Sequence, residues 1–171
     1  MKKVSCIDLP GHFNFRARLH ESVETAQAII LVLDSKDRNK IPEAAEILYD
    51  ILNNITVLDR KVPILVVCNK QDLQFAKRAT QLELEVERDI EEIRKVRRAT
   101  IDDQDTAKEQ VSKQGYLEQL RKKFTFSDAT LKRDLPPITF AEASVQREEI
   151  EAVLKFINDQ FWKLRGFGVL G

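Results

Sequence analysis

Two uninterrupted apolar runs, Ala-Ile-Ile-Leu-Val-Leu at 28–33 and Val-Pro-Ile-Leu-Val-Val at 62–67, constrain the fold more than any other feature. Runs this short, with no polar alternation, fit strands covered on both faces, as in a parallel sheet. Each falls far below the roughly 18 to 20 apolar residues needed to span a bilayer. Between them, Pro42 suits a first-turn helical position, and Ala44, Ile47, Leu48, Ile51 and Leu52 recur at helical spacing. Further strands are expected near 3–8 and at 138–140, and a short helix near 15–23. A long charged helix over 75–98 carries Leu82, Val86, Ile90 and Ile93 on one narrow stripe, and a last helix carries Ile150, Val153, Leu154, Ile157 and Phe161. Strand alternates with helix throughout, which predicts an α/β sheet with crossover helices.

The 171 residues suffice for one domain with a sizeable core, and neither an internal repeat nor a second domain is visible. Residues 99–116 contain few bulky apolar side chains and read as a flexible insert or weakly held helix. Phe124-Thr125-Phe126 alternates like a short edge strand or a packed connector. Lys plus Arg equal Asp plus Glu at 28 each, so the net charge is zero, which argues against nucleic acid as a direct partner. The basic runs 94–98 and 121–123 read as solvated helix faces, and His20 as a surface helix residue. Cys6 and Cys68 both fall in expected strands, without metal-type spacing, and fit small apolar fillers in a reduced cytosolic setting. No apolar stretch follows Met1-Lys2-Lys3, so the start does not resemble a signal peptide.

Chemistry concentrates where the runs end. Cys68-Asn69-Lys70-Gln71-Asp72 follows the second run directly. An Asp there can accept two hydrogen bonds from the ring N–H and exocyclic amine of guanine, a pattern adenine does not offer. Asn69 is suited to tether neighbouring loops, and the Lys70 stem can lie across the base. The segment Asp8-Leu9-Pro10-Gly11-His12 follows the expected first strand. Asp8 there is placed to hold a Mg²⁺ water. Gly11 lets a backbone N–H approach a γ-phosphate where a Cβ would collide, and His12 follows where an attacking water would be oriented. The third element is Phe140-Ala141-Glu142-Ala143-Ser144, in which the small Ala143 lets a backbone N–H reach the guanine carbonyl oxygen. Glu142 reads as a brace for that loop or as a plain strand-end carboxylate. Trp162, with Phe167 nearby, reads as an anchor for the last helix or a partner contact.

Asp-x-Pro-Gly-His, Asn-Lys-Gln-Asp and a strand ending Glu-Ala-Ser, in this order, resemble the small GTPase class. With the connecting segments 28–35, 45–49 and 75–77, the chain is similar in finer detail to the β-subunits of the signal recognition particle receptor, from about Val4 to Trp162. Translational GTPases share the Asp-x-Pro-Gly-His element, but their connecting segments do not fit. The resemblance implies a three-layer P-loop GTPase-like fold, with GTP and Mg²⁺ as ligands. Gly11, Asn69, Lys70, Asp72, Ala143 and Ser144 would hold nucleotide, Asp8 would hold Mg²⁺ through water, and His12 would be the catalytic group. It also implies the receptor α-subunit as direct partner, the ribosome and translocation machinery as indirect ones, and the cytosolic face of the endoplasmic reticulum membrane as location. A vesicle-traffic GTPase and a degenerate interaction module remain alternatives. Ser144 departs from the Ser-Ala-Lys common in relatives, since Val145-Gln146 follows it.

No Gly-x-x-x-x-Gly-Lys-Ser/Thr occurs, since none of the five glycines precedes a lysine. In the family that loop lies before the Asp-x-Pro-Gly-His strand, and a transmembrane helix lies further upstream. The chain is therefore expected to correspond to the carboxyl-terminal two-thirds of the domain, incomplete at its start, with a gap in the middle of the sheet. Either the neighbouring strands close up or inner edges lie exposed.

Overall fold

Three parallel strands form one sheet in the computed structural model, which describes residues 4–11, 16–102 and 115–163. They are β1 (Ile29–Asp34), β2 (Ile64–Asn69) and β3 (Ile138–Glu142), in the order β1-β2-β3. The register pairs Ile29 with Ile64 and Asp34 with Asn69 on one side, and Ile64 with Ile138 and Cys68 with Glu142 on the other. All three carboxyl ends therefore finish side by side. The central β2 is buried along five of its six residues, which is why its sequence shows no alternation.

Helices cover the sheet unequally. One face carries Leu33, Ile64, Val66 and Cys68 against α2 (Lys40–Leu52), α3 (Ile55–Arg60) and α4 (Ala79–Asp102). Pro42 lies in the first turn of α2, where its missing N–H costs no hydrogen bond, and Ala45, Leu48 and Leu52 are fully buried. Asn54 caps α3 by accepting from the Thr56 and Val57 N–H groups, and Lys61 ends it in the left-handed region at φ 50°. The α4 stripe is as expected: Leu82, Val86 and Ile90 are buried. The opposite face is thinner. There Leu65, Val67 and Ala143 pack against Val153 and Phe156 of the last helix.

Among the described residues between α4 and β3 are two short helices, α5 (Tyr116–Gln119) and α6 (Ala129–Asp134), with α7 (Glu151–Lys163) closing the described chain. Phe124-Thr125-Phe126 is a packed connector and not a strand. Phe124 and Phe126 are buried edge-to-face at 5.0 Å, and Phe126 meets Phe140 at 5.4 Å. Side chains of α4 take the place of a ladder: Glu91 and Glu87 accept from the Phe124 and Phe126 N–H groups, and buried Arg94 donates to the carbonyls of Leu117, Leu120 and Lys122.

Several expectations need correction. Residues 4–8 form no strand: the segment 4–11 lies outside the sheet, with Val4 and Ile7 about 60% exposed. A strand lacking a ladder partner leaves its backbone groups to water, so extended structure gains nothing there. Cys6 is accordingly exposed, while Cys68 is buried as expected. Among the described residues the sheet has no gap in its middle and ends at β1, so of the two expected outcomes the exposed edge is the one observed. Basic run 94–98 is only in part the solvated face expected, with Lys95 exposed and Arg94 buried. Arg94 is buried against carbonyls and Glu91, Lys95 pairs with Glu92, Arg97 pairs with Asp50 and covers the Tyr49 ring, and Arg98 donates to the Glu118 carbonyl. The insert expected over 99–116 is helical in α4 as far as Asp102, and α5 begins at Tyr116. Residues 103–114, His12, Phe167 and the Trp162 side chain lie outside what is described.

Candidate functional site

The carboxyl ends of β1, β2 and β3 form a crevice edge, the usual binding position in open α/β sheets. β2 delivers Asn69 at its tip, and Lys70 then turns the chain through the left-handed region at φ 68°. That conformation is uncommon for a residue with a Cβ and swings the following Gln71-Asp72 back toward β3. Gln71 N–H donates to the Ala143 carbonyl at 3.1 Å, and Ala143 N–H donates to the Cys68 carbonyl at 3.1 Å. The two loops are thereby stitched main chain to main chain.

Side chains complete the constellation. The Ser144 hydroxyl donates to Asp72 Oδ1 at 2.6 Å while its oxygen accepts from Arg147 N–H at 3.2 Å. Asn69 Oδ1 accepts from Val145 N–H at 3.2 Å, which ties the β2 tip to the loop after β3. Asn69, Lys70, Asp72, Ala143 and Ser144 thus come together, 72 and 144 through a direct contact. Asp8 and Gly11 do not join them. Both sit in the exposed segment outside the sheet, and no hydrogen bond among the described residues ties either to this crevice.

Four contributors were missed as site residues by motif reading. Asp34, at the β1 tip opposite Asn69, accepts from Lys70 Nζ at 2.6 Å. Buried Ser35 accepts from Gln71 Nε2 at 3.0 Å, and the same amide donates to the Lys77 carbonyl at 2.9 Å. Gln71, the variable residue of the motif, is therefore the knot joining three loops. Arg147 donates to the Asp72 carbonyl at 3.4 Å. The available signal was positional: Asp34-Ser35 ends an apolar run just as Asn69 does. Glu142 braces the start of α4, not the loop after β3 as expected, accepting from Ala79 N–H at 3.0 Å and pairing with Arg78 at 2.8 Å.

The electrostatics favour an ionised acceptor. The Ser144 hydroxyl bond, aided by nearby Arg147 and Lys70, holds the Asp72 carboxyl below its ordinary value. At Asp34 burial pushes upward, but the Lys70 ammonium and two backbone N–H groups outweigh it, and the net shift is down. The Ala79 N–H and the Arg78 guanidinium lower Glu142 likewise. Burial, with the Glu142 and Glu83 carboxylates, pushes the Cys68 thiol up to about 12, so it is inert at neutral pH. The arrangement offers a fixed anionic acceptor, a lysine stem beside it and a braced loop: a reader for a flat base carrying adjacent N–H donors. Among the described residues there is no cluster of three or more His, Cys, Asp or Glu able to hold a metal ion.

The family description "Signal recognition particle receptor beta subunit" matches residues 1–132. The chain belongs to this family. Receptor β-subunits of Mus musculus and Homo sapiens are 32% and 33% identical over 148 residues, covering 84% of this chain and 51% of each relative. The chain therefore spans about half the length of the curated relatives it matches. Among solved structures, a mammalian receptor is similar at TM-score 0.67 and 27% identity, over 90% of this chain and 72% of that one. A Chaetomium thermophilum receptor β-subunit with GDP and Mg is similar at TM-score 0.68 and 21% identity, over 90% and 79% of the respective chains, which speaks for the fold alone. The receptor β-subunit fold is thus GTPase-like, with flanking helices on a parallel sheet.

Proposed function

We propose that this chain carries the guanine-reading half of a receptor β-subunit that binds GTP and holds its α-subunit at the endoplasmic reticulum membrane for co-translational targeting. The observation that carries the reading is the Asp72 carboxylate, oriented by Ser144 at 2.6 Å beside the Asn69–Val145 tether. The hydroxyl steadies Asp72 Oδ1, and an ionised carboxylate has acceptor capacity for both guanine donors. The partner assignment is supported by a similar Chaetomium thermophilum structure, a β-subunit with GTP in complex with SRX. Ala143 N–H donates to the Cys68 carbonyl, so it is not free to reach the guanine carbonyl.

The phosphate half does not fit the residues present. No glycine-rich phosphate loop occurs in the sequence, and Asp8 and Gly11 stand apart from the crevice. Base contacts of about 4 kcal/mol correspond to a dissociation constant near 1 mM. GTP and GMP should therefore bind residues 1–171 with similar, roughly millimolar affinity. NMR titration with GMP, AMP and XMP tests the reading: GMP should be preferred over AMP, and Asp72→Asn should shift preference to XMP. Equal response to GMP and AMP by the unmodified chain would remove the reading, and low-micromolar GTP binding would remove the affinity estimate.

A further inference from the structure

We infer that Asp34 is a positioning residue for base binding, acting through Lys70; this rests on the guanine-reading proposal above. Asp34 ends β1 directly beside Asn69, the last residue of β2. Its two carboxylate oxygens do different work. Oδ1 accepts from the N–H groups of Lys36 at 2.9 Å and Asp37 at 3.2 Å, which folds the following turn and fixes the carboxylate plane. Oδ2 is thereby aimed at the crevice, where it meets Lys70 Nζ at 2.6 Å. The Asp34 side chain is 24% exposed and that of Lys70 51% exposed, so the pair lies at the rim.

The geometry constrains the lysine at both ends. Its backbone is held in the left-handed region, and its ammonium is tied to the neighbouring strand tip. The methylene stem must then bridge from the β2 tip to the β1 tip, along the edge that Asp72 overlooks. A lysine free at its ammonium would sample many rotamers, and a base stacking on it would have to order them; the tether removes that cost before binding. Such a stem offers an apolar surface to any purine. Asp72, in contrast, discriminates between purines by their donors.

These roles separate experimentally. Asp34→Asn keeps an oxygen for the Lys36 and Asp37 N–H groups but removes the charge facing Lys70. It should lower the melting temperature only slightly and weaken GMP and AMP by the same factor, about threefold, the scale an exposed ion pair supports. Asp34→Glu should restore much of the loss, and Asp34→Ala should lower the melting temperature as well. The probes are GMP and AMP, titrated by NMR into the 171-residue chain and its variants. Unchanged GMP affinity in Asp34→Asn, with the unmodified chain still preferring GMP, would overturn the positioning role and leave the base reading intact. A changed GMP-to-AMP ratio in Asp34→Asn would also overturn it, since the stem would then be reading base identity. Absence of any GMP preference in the unmodified chain would take down both.

Discussion

Ser144 and Asp72 lie 72 positions apart in sequence yet share a 2.6 Å hydrogen bond, and the consequence is a titration. A carboxyl whose folded pKa is lowered contributes stability that is fully present above its unfolded value, about 4, and that is lost as pH falls through the folded value. Asp72, Asp34 and Glu142 all shift in this direction. GMP affinity should therefore stay level from neutral pH down to about 5 and decline only below the ordinary carboxylate range, about 4. Carboxyl-carbon NMR should place the Asp72 midpoint below that of a free aspartate, and Ser144→Ala should move it upward. An Asp72 midpoint indifferent to Ser144→Ala would show that the hydroxyl does not set it.

At the scale of elements, α4 does more than cover the sheet. Its charged residues read as a solvent face, yet Glu87, Glu91 and Arg94 supply the hydrogen bonds that an irregular connector cannot make for itself. A buried guanidinium holding three carbonyls and a carboxylate is costly to remove, because each partner is left unsatisfied. Arg94→Ala should destabilise the chain by about 3–5 kcal/mol. Arg98→Ala, at a half-buried site with one carbonyl partner, should cost about 1 kcal/mol. Urea unfolding compares the two, and equal midpoints would contradict the clamp. The helical stripe Leu82-Val86-Ile90 was legible in sequence, since burial of one face repeats at the helical period. The polar clamp was not, because nothing in a charge pattern reveals which backbone groups lack partners.

For the molecule as a whole, the open side of β1 is the main liability. Ile30 is 38% and Val32 59% exposed on a strand whose outer edge has no ladder partner among the described residues, with no proline within it and no charge before Asp34. Such an edge templates pairing with other chains. Val32→Lys should reduce light scattering on heating at micromolar concentration while changing folding stability by no more than about 0.5 kcal/mol. Undiminished aggregation would locate the sticky surface elsewhere.

Sequence alone determined the parallel α/β architecture, through apolar runs buried on two faces, and it singled out the segment proposed to read the base, because a rare order of side chains at strand ends carries specific donor and acceptor chemistry. Tertiary structure decided what is long-range. Whether residues 4–8 become a strand depends on a neighbour to pair with, and none lies beside them among the described residues. That Asp34 restrains Lys70, that Gln71 knots three loops and that Ser144 fixes Asp72 follow from strand order and register, which bring residues 36 to 72 positions apart within hydrogen-bond reach.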